Sequence, residues 1–375
     1  MVRKRRLAVL GSTGSIGTQG LEVAAAHPDR LEVVALAAGR GGPAFQAQCD
    51  RWRPRHAILG SDRGGADLAA LCAAEDVDMV LLGVPGLAGL APTLAAIGAG
   101  KVVATANKET LVAAGDLVMA ALASNPAAAL HPVDSEHSAI WQCLRGEDPA
   151  AVRQIFLTSS GGALRDKPVA GLAAATVAEV LAHPTWPAMG RKITVDSATL
   201  MNKALEVIEA HHLFGLDYAG IEVAIHPQSA VHGLVVFADG SVKAQVGPPD
   251  MRVPLQVALL HPERPPAPWG GFQPGTWSFL PVDPDRYPAV ALGYEAGRRG
   301  GTAPAVLSAA NEVAVAAFLS GSLAFGDLIP AVAEVLRAHS DSPADSVAGV
   351  LDADAWARER AARVVGNHHE DRVHG

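Results

Sequence analysis

The sequence predicts an α/β protein in three parts: a parallel sheet layered with helices, a mixed α+β region with a mostly separate sheet, and a C-terminal helical bundle. Three observations predict it. The chain opens with a short apolar run, a glycine-rich turn and an apolar-patterned helix, and strand-then-helix alternation continues to Thr105. The runs Ile155–Thr158, Ile221–Ile225, Leu234–Phe237 and Ser241–Val246 are β-rich, the last two joined by the hairpin-type turn Ala238-Asp239-Gly240. From Ala289 to Leu336 the chain is alanine-rich and amphipathic at helical spacing. The expected divisions are 1–133, 134–262, a Pro-, Gly- and Trp-rich linker at 263–288, and 289–375. The polar residues from about Val364 are expected to fray.

Length and composition agree with this plan. A chain of 375 residues supports two or three domains and a large core. Its formal charge of −8 argues against a nucleic-acid surface. Cys49, Cys72 and Cys143 show no paired or metal-type spacing and read as buried small hydrophobes in a reducing cytosol. The basic start is followed by an apolar run, Leu7–Leu10, too short for an export signal, and no stretch reads as a membrane span. The expected location is the cytoplasm, with no membrane partner.

Taken in order, Leu7–Leu10 runs into Gly11-Ser12-Thr13-Gly14-Ser15-Ile16-Gly17 and then a helix. Strand, glycine turn and helix together form a dinucleotide-binding fingerprint. Gly11 permits the tight turn, Gly14 lets a pyrophosphate approach the backbone, and Gly17 allows close helix packing. The next strand, Leu31–Ala38, ends in Gly39-Arg40-Gly41-Gly42. An NAD site usually carries an acidic residue there. Arg40 instead favours NADP, whose 2′-phosphate suits a cation. His56–Leu59, Met79–Val84 and Val102–Thr105 read as further strands. The last ends in Asn107-Lys108-Glu109, where cofactor and substrate meet in open α/β sheets.

Two clusters suit a metal and a phosphate. A strand near Leu130–Asp134 leads into Asp134-Ser135-Glu136, where an extended backbone would put both carboxylates on one face, a half-site for Mg²⁺ or Mn²⁺. The stretch 183–209 reads as a polar loop, a short strand and a helix. On that helix Asn202, Lys203 and Glu206 fall within about one quadrant, opposite Leu200, Ala204, Val207 and Ile208. Solvated charges would be the plain explanation for a lone helix. However, Lys192 and Lys203 both lie here in a chain with few lysines, and Ser197 and Thr199 cluster just before the helix. Glu206 then completes a three-carboxylate oxygen site with Asp134 and Glu136, while Glu209 is read as a decoy. Ser159-Ser160-Gly161-Gly162 after a β-run offers hydroxyls and amides to an anion.

These motifs together resemble the 1-deoxy-D-xylulose 5-phosphate reductoisomerase family, over nearly the full length. The matching stretches are 11–17, 106–112, 132–142, 159–166, 183–209, 225–233, 239–252 and 309–318. The resemblance implies NADPH- and metal-dependent rearrangement and reduction of 1-deoxy-D-xylulose 5-phosphate to 2-C-methyl-D-erythritol 4-phosphate in isoprenoid precursor biosynthesis. It implies Thr13, Gly14, Ser15, Ile16, Gly39, Arg40, Gly41, Asn107, Glu109 and Gly190 around NADPH. It implies Asp134, Glu136 and Glu206 on one Mg²⁺ or Mn²⁺ ion. Substrate would meet Lys108, Ser135, Glu136, Ser160, His183, Trp186, Ser197, Asn202, Lys203 and Glu206, with Lys108, His183 and the metal carboxylates catalytic. The expected assembly is a homodimer.

The departures from the family pattern are local. Arg40 and Gly41 stand where members often carry lysine and asparagine. Ala163-Leu164 replaces Pro-Phe, and Gly233 replaces a serine. The loop from His183 to Met189, expected to close as a lid with Trp186 over the substrate, is one residue longer through Pro187-Ala188. A plain NADP-dependent dehydrogenase of another phosphorylated sugar or aldehyde would not need three carboxylates. A non-catalytic NADPH sensor would not need Glu206 or Lys203.

Overall fold

A computed structural model describes residues 3–60, 66–186, 189–271 and 274–374. Pro187 and Ala188, the expected lid insertion, lie outside the described residues, as do positions 272 and 273 of the expected linker.

The chain forms two compact units. The first comprises 1–110, 118–147 and 244–274, and the second comprises 111–117, 148–243 and 275–375. In chain order the first unit begins with β1 (Arg5–Leu10), α1 (Ser15–Ala26), β2 (Leu31–Ala38), α2 (Pro43–Trp52), β3 (His56–Leu59) and α3 (Ala66–Ala73). It continues with β4 (Met79–Leu82), α4 (Leu90–Gly98), β5 (Val102–Thr105), α5 (Lys108–Ser124), β6 (Ala129–Pro132) and α6 (Ser135–Cys143). The middle turns of α5, which kinks at Ala114, group with the second unit.

That second unit starts with β7 (Val152–Ser159), α7 (Val177–Leu181), α8 (Arg191–Thr199), α9 (Met201–Phe214), β8 (Ile221–Ile225), β9 (Val231–Phe237) and β10 (Val242–Val246). Helix α10 (Arg252–Leu260) returns to the first unit. The rest of the second is β11 (Leu280–Pro281), α11 (Ala289–Arg299), α12 (Ala303–Ser320), α13 (Leu328–Ala338) and α14 (Val347–His374).

Among the described residues, the sheet of the first unit has the order β3-β2-β1-β4-β5-β6, with its strand pairs parallel. This is a doubly wound dinucleotide-binding topology, and its central strands are buried on both faces. Accordingly Leu7–Leu10 of β1 and all of β4 are apolar, and Leu7, Val9, Met79 and Leu81 share a core with Leu21 and Val23 of α1. Helix α10 joins that core through Leu255 and Leu259. Two polar ties hold it. Arg5 donates to the carbonyls of Leu259 and His261 at 2.9 and 2.6 Å, and His131 Nδ1 donates to Ala258 O at 2.7 Å.

The sheet of the second unit runs β10-β9-β7-β8-β11. Strand β7 pairs parallel with β8 and antiparallel with β9, and β11 pairs antiparallel with β8 at the edge. The helical core of this unit is built from α9 and α11 to α14. Helix α12 is long and apolar enough to cross a bilayer by those criteria alone, contrary to the sequence reading that no stretch is. It also carries Asn311 and Glu312, and most of it is buried within the unit. Helix α14 runs to His374, so regular structure continues where fraying from about Val364 was expected.

Two local expectations are overturned. Residues 191–199 form a helix, not a short strand. The β-branched Ile193, Thr194 and Val195 suggest extension, but Val195 and Ala198 pack into the helical core and Lys192 pairs with Asp196 one turn on. The segment Asp134-Ser135-Glu136 is not extended either. Asp134 precedes α6 and Glu136 lies in its first turn, where a carboxylate complements the helix dipole.

Candidate functional site

In the first unit the turn after β1 is shaped by glycine sterics. Gly11 has φ +77°, and a Cβ there would lie 2.5 Å from Gly83 O. A Cβ on Gly17 would lie 2.3 Å from Gly11 O. The turn therefore folds tightly against β4 and α1 only with hydrogen at both positions. Thr13, Gly14 and Ser15 are exposed, Ile16 is half-buried, and no side chain caps α1. Its backbone N–H groups and positive dipole end suit an anion. Gly39, Arg40 and Gly41 are exposed beyond the end of β2, in the neighbouring strand of the sheet.

Asn107, Lys108 and Glu109 lie beyond β5 and are buried. Asn107 donates both amide hydrogens to the carbonyls of Val84 and Gly86, at 2.6 and 2.8 Å, and its Oδ1 accepts from Thr110 N at 2.7 Å. Its side-chain donors are thus spent inside the protein. It ties the loop after β4 to the start of α5. Lys108 Nζ lies 2.6 Å from Asp134 Oδ2, and Ser135 Oγ donates to Glu136 Oε2 at 2.7 Å.

In the second unit His183 is the hub. Its Nδ1 accepts from the N–H groups of Thr185 and Trp186, at 3.2 and 3.0 Å. The hydrogen of the neutral ring is therefore on Nε2, which faces Ser160 Oγ and Ser197 Oγ at 3.1 Å each. Burial, with the Arg165 guanidinium nearby, lowers its pKa from 6.5 to about 4, so the ring is neutral at pH 7. Three residues singled out in the sequence thus meet.

The loop around them is held by the backbone. Gly161 and Gly162 both have positive φ, and a Cβ on Gly162 would lie 2.5 Å from Ser197 O. Tyr287, buried in the stretch expected to be a surface linker, donates to Gly161 O at 2.9 Å, and Arg165 donates to Ser160 O at 2.8 Å. Neither contact is signalled by local sequence.

Helices α8 and α9 break at Leu200, a buried residue with φ +56°. A non-glycine residue there costs roughly 1–2 kcal/mol, offset by packing against Ile225, Tyr287 and Val290. Just past the break, Lys203 Nζ lies 2.5 Å from Glu206 Oε2, and Asn202 Nδ2 donates to Glu206 Oε1. The amide, ammonium and carboxylate do converge, as the helical spacing predicts. The polar side is not a solvated face, since Lys203 is 3% exposed and Glu206 1%. Burial does not separate Glu206 from Glu209, also 1% exposed. Glu206 meets Asn202 and Lys203. Gly190 is exposed ahead of α8, and half-buried Trp186 lies 6.3 Å from the His232 ring. Burial pushes the Cys72 thiol up to about 12, and the three cysteines are free thiols.

The comparisons agree with these motifs. Family models match for 1-deoxy-D-xylulose 5-phosphate reductoisomerase at residues 7–63 and 61–115, and for its C-terminal domain at 130–214. A model of the DXP reductoisomerase C-terminal domain matches residues 246–360. The chain is 48% identical to the 1-deoxy-D-xylulose 5-phosphate reductoisomerase of Gloeobacter violaceus, over 96% of this chain and 97% of that protein. It is 47% identical to that of Leifsonia xyli subsp. xyli, over 96% and 99%. A solved structure of the Zymomonas mobilis reductoisomerase in complex with NADPH superposes with a TM-score of 0.88 at 36% identity, covering 97% of this chain and 99% of that one. Another, of DOX-P reductoisomerase with NADPH, fosmidomycin and magnesium, gives 0.89 at 37% identity, covering 96% and 98%. The chain belongs to the 1-deoxy-D-xylulose 5-phosphate reductoisomerase family.

Proposed function

We propose that this chain is an NADPH- and divalent-metal-dependent reductoisomerase that converts 1-deoxy-D-xylulose 5-phosphate to 2-C-methyl-D-erythritol 4-phosphate for isoprenoid precursor synthesis. The observation that carries the reading is the pair of buried polar groups in the second unit, neutral His183 facing Ser160 and Ser197, and Lys203 meeting Glu206. Hydroxyls, a neutral N–H and an ammonium suit a phosphate dianion. Ser160, His183, Ser197, Asn202 and Lys203 would hold it.

The residues present fit both cofactors. The tight glycine turn and side-chain-free start of α1 suit a pyrophosphate, and exposed Arg40 suits the extra phosphate of NADPH. Thr13, Gly14, Ser15, Ile16, Gly39, Gly41, Glu109 and Gly190 would line that site, with Asn107 shaping it. Asp134, Glu136 and Glu206 are hard oxygen donors. Asp134 and Glu206 each lie beside a lysine ammonium, at 2.6 and 2.5 Å, and carboxylate oxygens suit a hard divalent cation. These three would hold Mg²⁺ or Mn²⁺. When bound, the cation supplies polarisation of the ketone and NADPH supplies the hydride.

The chain's own groups do the rest. Lys108 would donate hydrogen bonds to the substrate oxygens and stabilise negative charge developing on them. Ser135 would orient a hydroxyl. Trp186, three residues after His183, would cover the substrate and exclude water. Exposed Phe279 and Leu280 on or beside the edge strand β11 support a homodimer. The proposed location is the cytoplasm.

The test is NADPH oxidation on adding 1-deoxy-D-xylulose 5-phosphate, with and without a chelator, and with the product identified by NMR. Metal-dependent oxidation yielding the branched methylerythritol phosphate is expected. Oxidation that survives complete metal removal, or an unbranched product, would overturn the reading.

A further inference from the structure

The stretch 309–318 matches the family yet supplies nothing to the cofactor, metal or substrate sites described above. Its Asn311 lies on α12 and is 2% exposed. Asn311 Nδ2 donates to Asp196 Oδ1 at 2.8 Å. Asp196 lies on α8, beside Ser197, and is 1% exposed. Its other oxygen meets Lys192 Nζ at 2.9 Å, one turn back on the same helix. Asp196 thus has one partner on its own helix and one on a helix more than a hundred residues away in sequence.

Apolar contacts alone would hold α8 against the bundle, since Val195 and Ala198 already share a core with Leu307 and Ala310. Such contacts tolerate sliding and rotation. A buried carboxylate does not, because a shift of α8 along α12 strips it of a donor that no water replaces. What the Asn311–Asp196 bond adds is therefore register. Register of α8 sets where Ser197 Oγ points, and Ser197 shares the Nε2–H of His183 with Ser160.

We propose that Asn311 is a positioning residue for the phosphate subsite. It latches Asp196 and thereby fixes the register of α8, although it touches no ligand. This rests on the reading of Ser160, His183 and Ser197 as that subsite. Steady-state kinetics on Asn311→Leu, Ser197→Ala and the exchange Asp196→Asn/Asn311→Asp test it. The exchange restores a buried amide–carboxylate pair with its polarity reversed.

Asn311→Leu should raise KM for 1-deoxy-D-xylulose 5-phosphate about tenfold, leave KM for NADPH within about twofold, and be largely rescued by the exchange. A merely structural Asn311 would lower thermal stability and the active fraction while moving neither KM. That result, or an exchange variant that folds but does not recover the substrate KM, overturns the latch. If Asn311→Leu does not fold, Asn311→Gln, which keeps the amide but displaces it by one methylene, is read on the same scale. If Ser197→Ala leaves the substrate KM unchanged, the subsite reading itself fails. If Ser197→Ala raises it and the Asn311 variants do not, only the latch fails.

Discussion

The turn after β1 and the stretch 183–209, the two proposed anion sites, are built by opposite means. The first uses backbone. Gly11 and Gly17 remove side chains so that the chain folds tightly and α1 presents its N–H groups. The second uses side chains, with His183, Ser160, Ser197, Asn202, Lys203 and Glu206 drawn from a strand end, a loop and two helices broken at Leu200. A backbone site needs only local geometry. A side-chain site needs tertiary packing to hold each group, and it buries charges that must stay paired.

The largest expected effects come from breaking each site through sterics of equal severity. Gly11→Ala and Gly162→Ala each place a Cβ 2.5 Å from a backbone carbonyl oxygen at positive φ. Each should cost roughly 2–5 kcal/mol in chemical denaturation. The two should differ in ligand. Gly11→Ala should weaken NADPH, and Gly162→Ala the phosphorylated substrate. Equal loss of both ligands in both variants would erase the contrast.

Next in size is the charge buried in the second site. Glu206→Gln leaves the Lys203 ammonium without its carboxylate and should cost about 3 kcal/mol or more of stability, with most activity lost and NADPH titration unchanged. Full activity would remove Glu206 from the metal set.

Acid should weaken the side-chain site's unit selectively. The folded pKa of His183 is about 4 against 6.5 when unfolded. The unfolded chain therefore binds the extra proton first, and stability falls as pH drops from 6.5 towards 4. By pH 5 the share of His183 is about 2 kcal/mol. His183→Gln should flatten that part of the denaturation-midpoint-versus-pH curve, and an unchanged slope would contradict the burial argument. The smallest effect concerns exposed Arg40. Arg40→Ala should leave stability unchanged and weaken NADPH by roughly 1.5–3 kcal/mol, with NADH little affected. Equal losses for both cofactors would make Arg40 a surface residue only.

The same contrast explains what was legible in the sequence. Strands β2, β3, β5 and β8 have the bounds their apolar runs predict, because short apolar runs punctuated by Gly, Asn or Pro carry a local signal. The glycine turn was legible for the same reason. Helix α8 was read as a strand because β-branched residues favour extension locally, while its packing against α12 and the Lys192–Asp196 pair are tertiary. The start of α6 at Ser135 was missed since an acidic N-terminal turn has no strong pattern of its own. The return of 244–274 to the first unit rests on Arg5 and His131, more than a hundred residues away. Local sequence does not announce it. The grouping of Asn202, Lys203 and Glu206 was legible because they share one helix face, whereas Tyr287, Arg165 and Asp196 hold the segments that carry Ser160 and Ser197 without any spacing signal.

The central claim is that the cofactor and the phosphate are held by separately built sites, one of backbone and one of side chains. Michaelis constants for NADPH and for 1-deoxy-D-xylulose 5-phosphate, measured on Arg40→Ala and Ser197→Ala, test it most directly. Arg40→Ala should raise only the NADPH constant, and Ser197→Ala should raise only the substrate constant. If either variant raises both constants by the same factor, the two sites are not built separately and the account is wrong.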